Sequence, residues 1–237
     1  MTPAPRGGDP APSSPPNARR GEAAPSSPPN SRGAEREAAP SSPPNSRGAE
    51  GEAGSDATAI AAIETSSIAQ GIVTADAMVK RAEVDLLQAS VLSPGRFWIL
   101  IGGRVADVRS AHGRGVEIAA DALLDQLFIP QLHAGVLPAL RGVVAPSDAD
   151  AVGVLETLTA ASAIVAADAA AKAAGIVLAD LRLANGIGGK GVVTLTGGLP
   201  DVEAAIAAGR VEAQKRGLLA RAVVIPRMHP ALREHLV

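Results

Sequence analysis

Between Ile68 and Ala82 an apolar stripe runs through Ile68, Ile72, Ala75, Val79 and Ala82, a spacing of three to four residues that predicts an amphipathic helix. The same stripe returns as Ala160, Ile164, Ala167, Ala171 and Ala174, and its small side chains predict that the helix lies close against a sheet. A short apolar run ending in Glu-Thr stands ahead of each helix, "IET" at Ile63 and "LET" at Leu155. Behind each comes an extended run, "VDLLQASVL" from Val84 and "IVLADLRLA" from Ile176. In the latter, Asp180 and Arg182 alternate with Ala179, Leu181 and Leu183, as in a strand with one wet face. A loop follows, then a second strand ("FWILIGG" or "VVTLTGG"), a second helix opening near Asp107 or Asp201, and a last strand closing on Ile-Pro.

The two series are one series repeated. Glu64, Asp76 and Lys80 reappear as Glu156, Asp168 and Lys172 at a constant offset of 92. "GGRVADV" at Gly102 answers "GGLPDV" at Gly197, and "FIPQLH" at Phe128 answers "VIPRMH" at Val224. The fold class is therefore α/β (α+β): two tandem β-α-β-β-α-β domains of ferredoxin-like type, over residues 57–145 and 149–237.

Residues 1–56 follow another rule. They hold 12 of the 19 prolines, no Ile, Leu, Val or aromatic residue, and the heptapeptide "APSSPPN" at Ala11, Ala24 and Ala39. With nothing apolar to offset the entropy of ordering, this tail is expected to be disordered and partly polyproline-like, a solvated spacer or a docking arm. It carries six Arg against seven acidic residues, leaving 16 basic and 17 acidic side chains for the domains. Charge balance, one Trp, two Phe and no Tyr argue against a nucleic-acid binder. The chain has no cysteine, which excludes disulfides and thiolate chemistry and fits a cytosolic protein. The N-terminus lacks the apolar core of a signal peptide, and the Ala-rich stretch around Asp168 and Lys172 is too polar to insert in a membrane, so a soluble protein is expected.

"NGIGGKG", Asn185 to Gly191, invites comparison with a phosphate-binding loop. Such a loop needs a glycine where Ala184 stands and a hydroxyl where Gly191 stands, and it opens a helix, whereas a strand follows here. The expectation is a glycine-rich hairpin loop with positive φ. The four histidines, His112, His133, His229 and His235, show no metal-ligand spacing, and the equivalence of His133 and His229 points to architecture. Asp76/Lys80 and Asp168/Lys172 read as solvated helix-surface pairs. Glu64 and Glu156 could serve as general bases, but the sequence names no partner for them.

"ADAMVKRAEVDLL", "ADAAAKAAGIVLA", the glycine-rich loop before the second strand and the terminal "VIPRMH" resemble the domain of bacterial microcompartment shell proteins, from about Thr58 to Val237. Two such domains in unpermuted order resemble the trimeric tandem class, above all the T-type proteins of propanediol-utilisation compartments. The resemblance implies a structural role, not an enzyme. A homotrimer would form a pseudo-hexameric tile that packs against hexameric and pentameric tiles of a shell in the bacterial cytoplasm. Encapsulated enzymes are implied as further partners, with small metabolites crossing a central pore and no nucleic acid or membrane involved.

Carried over by position, the pore is lined by Ser93, Pro94, Gly95 and Arg96 and by Ile187, Gly188, Gly189, Lys190 and Gly191. The second loop is longer by three residues, so the opening is expected to be three-fold. The T-type resemblance places a cluster-binding cysteine where this chain has Gly191, so no iron–sulfur cluster and no other cofactor is expected. An open or water-filled pore follows, with Lys190 and Arg96 either favouring anions or turned into the tile. Tile-edge contacts are assigned to Lys80, Lys172, Arg227, His229 and His133, although Gln131 replaces the arginine in the first copy. Two other readings stand beside this one: a regulatory module binding a small molecule between ferredoxin-like domains, and an enzyme using Glu64 or Glu156.

Overall fold

A computed structural model describes residues 59–144 and 151–232. The tail expected over residues 1–56, the outermost positions of both domains and His235 lie outside the described residues. The first domain runs β1 (Ala59–Thr65), α1 (Ile68–Arg81), β2 (Asp85–Leu92), β3 (Arg96–Gly103), α2 (Val105–Ala119), a 3-10 turn (Ala120–Ala122) and β4 (Leu123–Ile129). A short helix, α3 (Val136–Leu140), leads out of it. The second domain repeats the order as β5 (Ala151–Thr157), α4 (Ala160–Ala173), β6 (Val177–Leu183), β7 (Gly191–Gly197), α5 (Leu199–Lys215) and β8 (Leu219–Ile225). Each sheet is antiparallel, ordered β2-β3-β1-β4 and β6-β7-β5-β8, the ferredoxin-like arrangement expected from the repeat.

Every residue of β1 is buried, because both faces of the first sheet are covered. Ala61, Ile63, Ile99 and Ile101 face Met78 of α1 and Val108 and Ala111 of α2. Ile60, Ala62, Trp98, Leu100 and Leu127 point the other way, into a cluster shared with α4 of the second domain. The core of the second domain and the seam between the domains are thus one apolar body. The alanine-rich character of α4 suits it to lie between two sheets: Ala160, Ile164, Ala167 and Ala171 are all buried there.

The matching stripe of α1 corrects the periodicity argument. Ile68, Ile72 and Val79 are exposed, and α1 turns Gly71, Thr74, Ala75 and Met78 inward instead. Apolar spacing identifies a face but not what covers it. Ile164 has no exposed surface while its counterpart Ile72 is 55% exposed; likewise Leu127 on β4 is 3% exposed and its counterpart Val223 on β8 is 41%. One pair of surfaces is closed within the chain, and the equivalent pair is left open at its two ends.

Helix starts follow local chemistry. Ser67 caps α1 by accepting from Gln70 N, and Thr159 caps α4 by accepting from Ser162 N. Asp107 and Asp201 lie in the first turns of α2 and α5, where the helix dipole favours them. In β6 a register shift between Leu178 and Asp180 breaks the expected alternation, so that Leu178 and Leu181 are the buried residues. Among the described residues no helix is long and apolar enough to cross a membrane.

Candidate functional site

The two loops singled out in the sequence meet at one end of the seam. Ser93, Pro94 and Gly95 form an exposed turn between β2 and β3, and the longer loop spans Ala184 to Lys190 between β6 and β7. Gly186, Gly188 and Gly189 all take positive φ, as a glycine-rich hairpin loop requires. A Cβ built on Gly189 would stand 3.1 Å from Pro94 Cδ and 3.2 Å from both Arg96 Cζ and Ser93 O, so only glycine lets the loops touch. Ile187 is half-buried and Gly188 exposed.

Each candidate base holds a candidate pore cation. Arg96 Nη1 donates to Glu64 Oε1 at 2.6 Å and to Gly189 O at 3.3 Å. The other oxygen of Glu64 accepts from Ala160 N, at 2.9 Å, at the start of α4. Glu64 is fully buried, and desolvation pushes its carboxyl above the ordinary value against the opposing pull of Arg96 and the Ala160 amide. In the second domain Lys190 Nζ lies 2.6 Å from Glu156 Oε1, in a more exposed pair. Of the two expectations for Arg96 and Lys190, these contacts favour cations turned into the protein: each has a carboxylate partner that offsets much of its field.

Gly191 differs from the loop residues that precede it. It is the first residue of β7, paired with Thr157, and a Cβ there would lie 2.3 Å from Ala163 Cβ on α4. Position 191 therefore faces the helix and not the loop mouth. Its register counterpart Phe97 has the space that Gly71 leaves, whereas Ala163 at the equivalent place leaves none. A cysteine-held cluster does not fit: the chain has no thiolate, and residue 191 is not aimed at an opening.

Further along the seam, Asp168 accepts from His133 N at 2.8 Å and from Lys172 Nζ at 2.6 Å, and Lys172 also donates to Gln131 O at 2.5 Å. Asp168 is buried, so this pair is a joint between the domains and not the solvated surface pair expected from spacing; Asp76–Lys80 is indeed solvated. His133 Nδ1 accepts from Gly135 N and His229 Nδ1 from Ala231 N, the same turn closure in both copies. Arg227 and His229 are exposed. Sequence spacing missed Asp125, which accepts from Thr159 Oγ1 at 2.5 Å and from Arg216 across the seam. His112 stacks on Phe128 with ring centroids 6.1 Å apart, and its burial lowers its pKa.

Two ferredoxin-like domains, joined where α4 of the second packs on the sheet of the first and with the equivalent surfaces at Ile72 and Val223 uncovered, define a tandem-domain protein. The BMC domain model matches residues 59–132 and 151–228, and the chain belongs to this family of microcompartment shell proteins. It is 40% identical over 179 residues to the bacterial microcompartment shell protein PduT of Citrobacter freundii, covering 76% of this chain and 97% of that protein. It is 30% identical to the carboxysome assembly protein CcmO of a Synechocystis species, over 72% of this chain and 62% of that protein. A crystal structure of a microcompartment protein from Desulfitobacterium hafniense superposes with a TM-score of 0.68 at 44% identity, covering 74% of this chain and 98% of that one.

Proposed function

We propose that three copies close head to tail into a pseudo-hexameric shell tile. The observation that supports this reading most is the pairing of closed and open surfaces: Ile164 is covered by the first domain of its own chain, whereas Ile72 and Val223 are uncovered at opposite ends of the repeat. A head-to-tail interface between identical chains ends in a ring or an open filament, and family membership favours the ring. The intrachain seam then supplies the interchain one by the offset of the repeat. Glu156 stands where Glu64 does, ready to accept from the α1 amide of Ile68 of the partner subunit.

In this ring the loops Ser93–Arg96 and Asn185–Lys190 border a three-fold opening for small metabolites, with Gly191 behind it in the wall. Lys80, Arg227 and His229 remain exposed for contacts to neighbouring hexameric and pentameric tiles, while Lys172 and His133 act first as seam residues. The role is structural and not catalytic, since both candidate bases are engaged by cations. No cofactor is assigned, and the site is the microcompartment shell of the bacterial cytoplasm. Native mass spectrometry with electron microscopy tests the proposal: a trimeric mass and flat, roughly hexagonal particles are expected, and a monomer at micromolar concentration would refute it.

A further inference from the structure

Away from both loops, the exposed surface of α1 and α2 carries a polar concavity of about 480 Å³ lined by Arg81, Arg109, Ser110, Gly113, Arg114 and Glu117. Three guanidinium groups face one carboxylate. Arg114 is the one paired with Glu117, at 3.1 Å, and among the described residues Arg81 and Arg109 have no carboxylate within ion-pair distance. Arg81 Nε instead donates to Ser110 Oγ at 3.1 Å, which fixes the plane of its guanidinium, and Arg109 lies 5.2 Å over the Phe128 ring. Both are oriented without being neutralised.

The duplication supplies an internal control. The equivalent positions of the second domain are Ala173, Glu203, Ala204, Ala207, Ala208 and Val211, so the fold itself does not require a basic cluster here. Most of those residues are exposed although the second domain has its seam covered, which shows that this face points away from the seam and stays open in an assembly built on it. Gly113 adds a second sign. It sits inside α2, where glycine is a poor helix former, and a Cβ on it would meet nothing within 4 Å. Packing does not explain this glycine, which leaves the concavity without a side chain at its centre.

We infer that Arg81, Arg109, Arg114 and Ser110 form a binding site for a phosphoryl oxyanion, either free phosphate or the head of a phosphomonoester. Guanidinium groups present paired N–H donors that match the oxygens of such a group, and a hydroxyl completes the set. The site belongs to the first domain alone and does not depend on ring closure or on the pore.

Isothermal titration of the full chain with inorganic phosphate and, separately, with glycerol 1-phosphate tests the inference, with acetate as the singly charged control. Saturable binding of at least one phosphate probe, at least tenfold tighter than acetate, is expected; the tighter probe identifies the source. Arg81→Ala with Arg109→Glu and Arg114→Ala installs the residues the second domain already carries and should weaken binding at least tenfold, while Arg210→Ala on α5 leaves it unchanged. Arg81→Lys, which keeps the charge and loses the fork held by Ser110, should weaken binding several-fold and serves if the triple variant fails to fold. No phosphate binding in the wild type, phosphate no tighter than acetate, or equal loss in Arg210→Ala would overturn the site.

Discussion

Glu64 has no exposed surface, and its carboxylate lies 2.6 Å from Arg96 Nη1, joining β1 to the first residue of β3 beside it. Burial outweighs this contact and raises the folded-state pKa above the ordinary value of 4.5. A carboxyl with a raised folded-state pKa binds its proton more tightly folded than unfolded. Its contribution is complete below 4.5 and is lost as pH rises through the folded value. The stability of wild type relative to Glu64→Gln should therefore fall from pH 4 upward and level off above the raised pKa. Parallel denaturation across that range checks it, and a difference that grows with pH would reverse the assignment.

Ile72 and Ile164 occupy equivalent turns of α1 and α4 and should respond oppositely to a charge. Ile164→Asp buries an unpaired carboxylate and should cost at least about 3 kcal/mol of folding stability. Ile72→Asp should leave the folded chain within about 0.5 kcal/mol of wild type, since the position is exposed in the single chain. It should nonetheless abolish the proposed trimer in sedimentation. Val223→Asp should behave like Ile72→Asp, because it strikes the complementary surface.

The absence of cysteine from the chain makes thiol labelling a clean probe of orientation. Ser93→Cys lies on an exposed turn and should react with a maleimide at nearly the rate of a free thiol. Gly191→Cys should resist labelling in the folded protein, because its Cβ points into Ala163, and should cost about 1–3 kcal/mol through overpacking. Rapid labelling at 191 without loss of stability would restore that position to the opening.

Element order and repeat were legible in the sequence because both are local patterns: a helical stripe, an alternating strand and an offset that returns. Direction was not. The stripe of α1 is real, yet whether Ile68, Ile72 and Val79 face the core depends on a surface the helix does not itself contain. The acid–base pairs were hidden for a similar reason, since Glu64 and Arg96 are 32 residues apart and Glu156 and Lys190 are 34. A signal was present nonetheless. Both copies place an acid at the end of the first strand and a base at or just before the start of the strand that pairs with it. Gly191 was assigned to the pore by carrying over the cysteine position of the resemblance, and the sequence alone could not show that strand register turns its Cβ toward α4.

Outer contacts separate from seam contacts by position. Arg227 is exposed and, among the described residues, makes no ion pair, so under the proposed assembly Arg227→Ala should leave the trimer intact and weaken its growth into sheets. Asp168→Ala removes the acceptor of His133 N and Lys172 together and should destabilise the chain by about 1–3 kcal/mol. Thermal melts and electron microscopy of the two variants distinguish the roles: loss of sheets at unchanged melting temperature for the first, and a lowered melting temperature for the second.

The Lys190–Glu156 pair sets the sign of charge at the proposed opening, since each group largely cancels the other. Removing one partner should expose the charge of the one that remains. Lys190→Ala should leave the Glu156 carboxylate uncompensated and slow anionic metabolites through assembled shells, whereas Glu156→Gln should free the ammonium and speed them. Both changes should shrink as salt rises, because the pair is partly exposed and its field is screened within about 10 Å at 0.1 M. Anion and cation fluxes measured side by side at low salt provide the check: opposite shifts for the two variants support passage through this opening, and equal fluxes in all three proteins would mean that metabolites cross elsewhere.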